Sequence, residues 1–262
     1  MRFRLSRLVR RVLWAATYGV AGAMAVLIVG FVAYLDGRPD LDAWHLAELD
    51  EELTASSAVQ TFEDYLELEE RLFAQLDEQV YAKIPGDARR LINRYDRDSL
   101  SDPARWSPNW NRSFEFPAAK PRAGVLLLHG MSDSPYSLRS LGQGLNAAGA
   151  LVVGLRLPGH GTAPSGLVAV TWQDMATAVR LAMHHLAERA RGVPLVIVGY
   201  SNGAALAVHY ALSAIEDERL PKVEGLVLLS PAIGVSPAAA LAVWQARLGH
   251  LLGLEKLAWN AI

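Results

Sequence analysis

The sequence predicts an α/β fold, a parallel sheet with helices on both faces, preceded by a transmembrane helix and an acidic helical segment. Three observations predict it. Four short apolar runs, residues 125–128, 151–155, 195–198 and 226–229, alternate with helix-length segments at 135–148, 172–190 and 204–215. Strands covered on both faces by crossover helices read as continuous apolar runs of this kind. An uncharged apolar stretch occupies residues 12–35, and a carboxylate-rich stretch follows it.

Arg2, Arg4, Arg7, Arg10 and Arg11 form a basic N-terminus, residues 1–11, with no acid before Asp36. As a helix, residues 12–35 would span about 36 Å, enough for a hydrocarbon core of about 30 Å. The arginines should stay in the cytoplasm, which puts the rest of the chain on the periplasmic or extracellular side of a single-pass anchor. The alternative is a signal peptide cut near Ala21-Gly22-Ala23, giving a secreted chain. The apolar region of a signal peptide is usually only about 7–15 residues long.

Residues 36–122 read as an acidic helical and irregular connecting segment. Fourteen carboxylates lie between Asp36 and Glu78, against Arg38 and Arg71. In residues 61–80, Phe62, Tyr65, Leu66, Leu72, Phe73, Leu76 and Val80 recur at helical spacing, and Thr61 and Asp64 are placed as a capping box. The acidic face is expected to be solvated rather than a docking surface. Residues 85–122 are punctuated by prolines, with one strand expected at 112–116. Trp106 and Trp110 are expected to pack against the following domain, residues 123–262.

Composition narrows the function. At 52% apolar and 20% charged residues, most of the chain should fold around a core. No basic patch carries interleaved aromatics, so nucleic acid is not an expected partner. The absence of cysteine excludes a thiol nucleophile, disulfides and cysteine-ligated zinc. His184 and His185 are adjacent on a predicted helix and diverge, so no metal or other cofactor is expected.

In such sheets ligands bind at the carboxyl ends of the strands, and the unusual motifs lie there. Gly199-Tyr200-Ser201-Asn202-Gly203 follows a strand and opens a helix, the context of a nucleophile elbow. The tight turn lifts Ser201 above the sheet. Gly199 and Gly203 give the room that the crossing of strand and helix needs. Leu128-His129-Gly130-Met131 ends the first strand. Acyl transfer needs two backbone N–H donors aimed at the developing oxyanion. One is expected from Asn202, the residue after the nucleophile, and the other from Met131.

These two motifs, with Leu157-Pro158-Gly159-His160-Gly161-Thr162 between them, resemble the monoacylglycerol lipase, carboxylesterase and serine aminopeptidase branch of the α/β-hydrolases. The resemblance covers about residues 123–233. It implies Ser201 as the catalytic nucleophile, Met131 and Asn202 as the oxyanion hole, and His160 in a structural loop. It also implies a lid beginning in the apolar residues 237–254. The catalytic acid and histidine should follow the serine in this fold. After Ser201 stand only His209, eight residues into the elbow helix, and His250, in the expected lid. Glu216, Asp217, Glu218, Glu224 and Glu255 are all misplaced for the acid. The expectation is a chain truncated within the lid that lacks the acid and histidine. The function expected is a membrane-anchored esterase or lipase acting through an acyl-enzyme on a small-molecule ester or lipid. The alternatives are a peptidase or acyltransferase of the same fold, or an inactive membrane-tethered scaffold.

Overall fold

The computed structural model describes residues 7–37, 41–85 and 90–234. Two compact units divide the chain. The described part of the first is helix α1, Arg7–Asp36, which is continuous and apolar. Its best window has a mean hydropathy of 2.0 and no buried residue. The helix starts before Arg10 and Arg11, so these arginines lie within it rather than ahead of it.

The second unit runs from Leu41 to Gly234. It opens with a short helix, α2 (Ala43–Leu46), whose buried Trp44 stacks on Tyr95 at 4.9 Å. The capping box then starts α3, Phe62–Gln79. Thr61 Oγ1 accepts from the Asp64 amide, and Asp64 accepts from the Thr61 amide at 2.9 Å. The face that α3 buries differs from the expected one in two places. Leu66 is exposed, whereas Leu68 and Glu69 are buried. Leu68 lies three residues after Tyr65 and four before Leu72, so the 3.6-residue period favours it over Leu66.

Five strands form one sheet: β1 (Phe114–Phe116), β2 (Ala123–Leu128), β3 (Ala150–Leu155), β4 (Leu195–Tyr200) and β5 (Gly225–Leu229). The order is β1-β3-β2-β4-β5, with β2 to β5 parallel. The expected all-parallel sheet is corrected at its edge, because β1 runs antiparallel to β3. Only residues 117–122 link β1 to β2, too few for the crossover that a parallel strand requires.

Helices cover both faces, and strand alternation sorts the core. Leu126, Leu128, Leu151, Val153, Leu155 and Ile197 face α6 (Trp172–Arg189) and α7 (Asn202–Glu216). Phe62, Tyr65 and Leu68 of α3 join the same cluster. Val125, Leu127, Val152 and Val198 face the other way, onto Leu138 and Leu145 beside α4 (Arg139–Ala147), with Phe114 and Phe116. Each fully buried leucine in these layers contributes about 1.5–3 kcal/mol. One further turn, α5 (Gly166–Ala169), lies between β3 and α6. Trp110 packs edge-on against Phe114 at 5.6 Å, whereas Trp106 is half exposed.

Candidate active site

β4 ends at Tyr200, α7 begins at Asn202, and Ser201 alone makes the turn. Its backbone sits at φ 52°, ψ −112°, in the positive-φ region that non-glycine residues rarely enter. Such strain persists only where the surroundings fix it. The Ser201 amide donates to Leu229 O at 2.9 Å, and the Ser201 carbonyl accepts from Ala232 N at 3.1 Å. The exit of β5 therefore braces the turn, and Ser230, beside that brace, is also at positive φ.

The two glycines are required by contact. A Cβ on Gly199 would lie 2.5 Å from Ala204 Cα, and one on Gly203 would lie 2.3 Å from Leu128 O. Gly203 therefore presses the start of α7 against the end of β2, from which the second loop departs. Gly130 in that loop is equally tight, since an added Cβ would come within 2.9 Å of the Tyr200 ring and 3.3 Å of Ser201 Cβ. The loop carrying Met131 is thus in contact with the serine. Asn202, as the first residue of its helix, has an amide with no intrahelical acceptor. The Met131 amide has no backbone acceptor among the described residues. The two candidate donors therefore flank Ser201, one on the loop after β2 and the other at the first residue of α7.

The buried histidines are held in other bonds. His129 is fully buried, its Nε2 accepting from Leu157 N at 3.0 Å and its Nδ1 lying 2.9 Å from Gly130 O. Because Leu157 N–H must donate, the proton sits on Nδ1. Burial, and then the neighbouring His160, push its pKa down to about 3. His160 Nδ1 donates to Pro158 O, and burial lowers its pKa too. A neutral, doubly engaged imidazole such as His129 is a staple between loops.

Downstream of the serine, His209 packs edge-on against Trp172 at 5.1 Å. Glu224 accepts from Leu195 N at 2.7 Å, at the opposite end of β4 from Ser201. Asp217 is bound by Arg219, which lowers its pKa to about 2. The expected lid at 237–254, His250 and Glu255 lie outside the described residues. Among the described residues, no group of three or more His, Asp or Glu side chains is placed to hold a metal ion.

One feature beside the site was not anticipated. Arg156, directly after β3, is fully buried between Glu52 and Glu69, both from the acidic segment. The expected solvated acidic face is corrected here: Glu69 points inward, accepts from Ser113 N and Oγ, and is 3.1 Å from Arg156 Nε. Burial raises the Glu69 pKa against the pull of Arg156. The signal available in the sequence was an arginine closing a wholly apolar strand. A buried guanidinium requires carboxylate partners, but nothing local says which of fourteen acids supplies them.

A thermostable monoacylglycerol lipase from Bacillus sp. (strain H-257) is 31% identical over 117 residues, 45% of this chain and 44% of that protein. A structure of the metagenome-derived lipolytic enzymes LipS and LipT is 33% identical over 51% of each chain, with a TM-score of 0.45. The monoacylglycerol lipase of Paleococcus ferrophilus is 26% identical over 52% of this chain and 50% of its own, with a TM-score of 0.41. The chain thus spans about half the length of the relatives it matches. A family profile described as serine aminopeptidase, S33, matches residues 119–259, just over half of the chain. By that match, the chain belongs to the S33 serine aminopeptidase family of the α/β-hydrolases.

Proposed function

We propose that this chain carries the nucleophile and oxyanion hole of a membrane-anchored serine hydrolase that cleaves carboxylic esters. The observation that carries this reading is the strained backbone of Ser201, held between glycines that tolerate no Cβ. In this reading Ser201 Oγ attacks the ester carbonyl carbon and its proton passes to a histidine base. The N–H groups of Met131 and Asn202 stabilise the tetrahedral oxyanion. The C–O bond breaks, the alcohol leaves with the proton, and water then hydrolyses the acyl-enzyme. The base and its acid are not assigned to any described residue. The likeness to a monoacylglycerol lipase from Bacillus sp. (strain H-257) supports an ester or lipid substrate over a peptide.

Helix α1 supports the anchor: it is long enough and apolar enough to cross a bilayer, and arginines cluster at its start. By the positive-inside rule, residues 1–11 are cytoplasmic and the hydrolase unit lies on the far side. The reading is tested by hydrolysis of short-chain p-nitrophenyl esters and of a dipeptide amide by the protein expressed from its natural reading frame. Ester turnover lost in Ser201→Ala is expected, by about 10⁴-fold or more. Turnover of the amide alone would reassign the chain to peptidase chemistry. Ester turnover unchanged in Ser201→Ala would refute the nucleophile.

A further inference from the structure

We infer that Arg156, clamped by Glu52 and Glu69, is a positioning residue that fixes the oxyanion loop through His129, which makes the acidic segment a working part of the active site. The inference rests on the reading of Ser201 and Met131 given above. Arg156 is held from several sides by residues of segment 41–122. Its Nη1 lies 3.1 and 3.2 Å from the two oxygens of Glu52, and its Nε lies 3.1 Å from Glu69. Its amide donates to Ser113 Oγ at 2.9 Å, and its carbonyl accepts from Tyr65 O–H at 2.7 Å. Arg156 Nη1 also donates to His160 O at 3.1 Å, tying down the loop that follows.

The next residue passes this constraint on. Leu157 N–H donates to His129 Nε2, and His129 Nδ1–H donates to Gly130 O. Gly130 lies against Tyr200 and Ser201, and Met131 follows it. One continuous path of hydrogen bonds and contacts therefore runs from α3 through Arg156, Leu157 and His129 to the proposed oxyanion donor. Glu69, Arg156, Leu157 and His129 are all buried, so water cannot substitute there for a lost partner. Two carboxylates face one guanidinium, a costly arrangement that packing an apolar side chain would avoid. Arg156 Nη2 has no hydrogen-bond partner among the described residues. A cluster kept only for stability would not need that charge set, whereas a loop held at one fixed position would.

The test combines kinetics with a spectroscopic signature. The natural protein is compared with Glu69→Gln, in which one N–H of the new amide must face another donor, either Ser113 N or Arg156 Nε. Ser113→Ala and Ser113→Thr serve as the milder pair, the threonine keeping the hydroxyl. Donor misplacement of about 1 Å costs on the order of 10²-fold. The expected result is a fall of kcat by about that factor in Glu69→Gln with KM little changed. Ser113→Ala should show a smaller fall, which Ser113→Thr restores. In parallel, the protein labelled with ¹⁵N-histidine reports the His129 ring, assigned by the signal lost in His129→Gln. Its nitrogen resonances should move in Glu69→Gln and Ser113→Ala. Folded variants with wild-type kcat and an unmoved His129 signal would overturn the inference. Wild-type protein without Ser201-dependent turnover would count against the nucleophile alone. The His129 signal then decides: movement supports the coupling, and a fixed signal rejects it.

Discussion

The exits of β4 and β3 lie at the same edge of one sheet, yet they are stabilised in opposite ways. At the β4 exit the residue types that mark the constraint are local: two glycines and one strained serine, all between residues 199 and 203, which the β5 exit braces through backbone atoms alone. At the β3 exit the constraint is remote. Arg156 is held by Glu52, Tyr65, Glu69 and Ser113, between 43 and 104 residues away in sequence. Steric requirements within a turn leave a signature of residue types at fixed spacing, whereas a buried ion cluster leaves only unpaired charges scattered along the chain.

Breaking each exit should separate the two kinds of constraint. Arg156→Met should have the largest effect. It leaves Glu52 and Glu69 buried without a counter-charge, a loss of about 3–5 kcal/mol, read as a lower urea midpoint at pH 7. Restoring part of that loss by adding Glu69→Leu to Arg156→Met would confirm that uncompensated charge is the cause. Gly203→Ala comes next. Its Cβ would meet Leu128 O at 2.3 Å, and such overpacking against backbone costs about 3 kcal/mol. Since carbonyl and helix must both shift, no second-site side-chain change should rescue it. That asymmetry in rescue is the sharpest form of the comparison.

A titration reports on the link between the two exits, because His129 bonds Leu157 after β3 and Gly130, which lies beside Ser201. The ordinary histidine pKa of 6.5 falls to about 3 in the folded protein, so the unfolded chain binds a proton that the native state excludes. The stability due to this group is complete above pH 6.5 and is lost as the pH falls towards about 3, at up to about 1.4 kcal/mol per pH unit. Glu69 has the opposite sign. Its raised pKa means that stability is greatest below its ordinary value of 4.5 and declines as the pH rises through the folded value. Denaturation profiles of His129→Gln and Glu69→Gln between pH 4 and 8 should each lose one of these opposed slopes. Thr61→Ala marks the small end of the scale. It removes the cap of α3 at about 1 kcal/mol and should leave both exits intact, read as a lower urea midpoint with unchanged kcat.

The same contrast explains what was legible in the sequence. Every strand and long helix of the core was visible, because apolar runs and helical spacing are local patterns. Ser201, Gly199 and Gly203 were visible for the same reason, and the capping box of Thr61 and Asp64 set the start of α3. The antiparallel pairing of β1 was not visible, since a three-residue strand carries no sign of its partner. Glu69 cannot be told from the solvated acids in the sequence, because one buried glutamate among many exposed ones looks like the rest until Arg156 is placed beside it. The brace from β5 to Ser201 is made by backbone atoms, which the residue types at 229 and 232 do not encode.

If Ser201 is an activated nucleophile, a covalent probe should capture it. The protein expressed from its natural reading frame is treated with a fluorophosphonate, digested and mapped by mass spectrometry. One adduct is expected, on Ser201, absent from Ser201→Ala and blocked by prior incubation with an ester substrate. An adduct on another residue, or labelling that persists in Ser201→Ala, would contradict it.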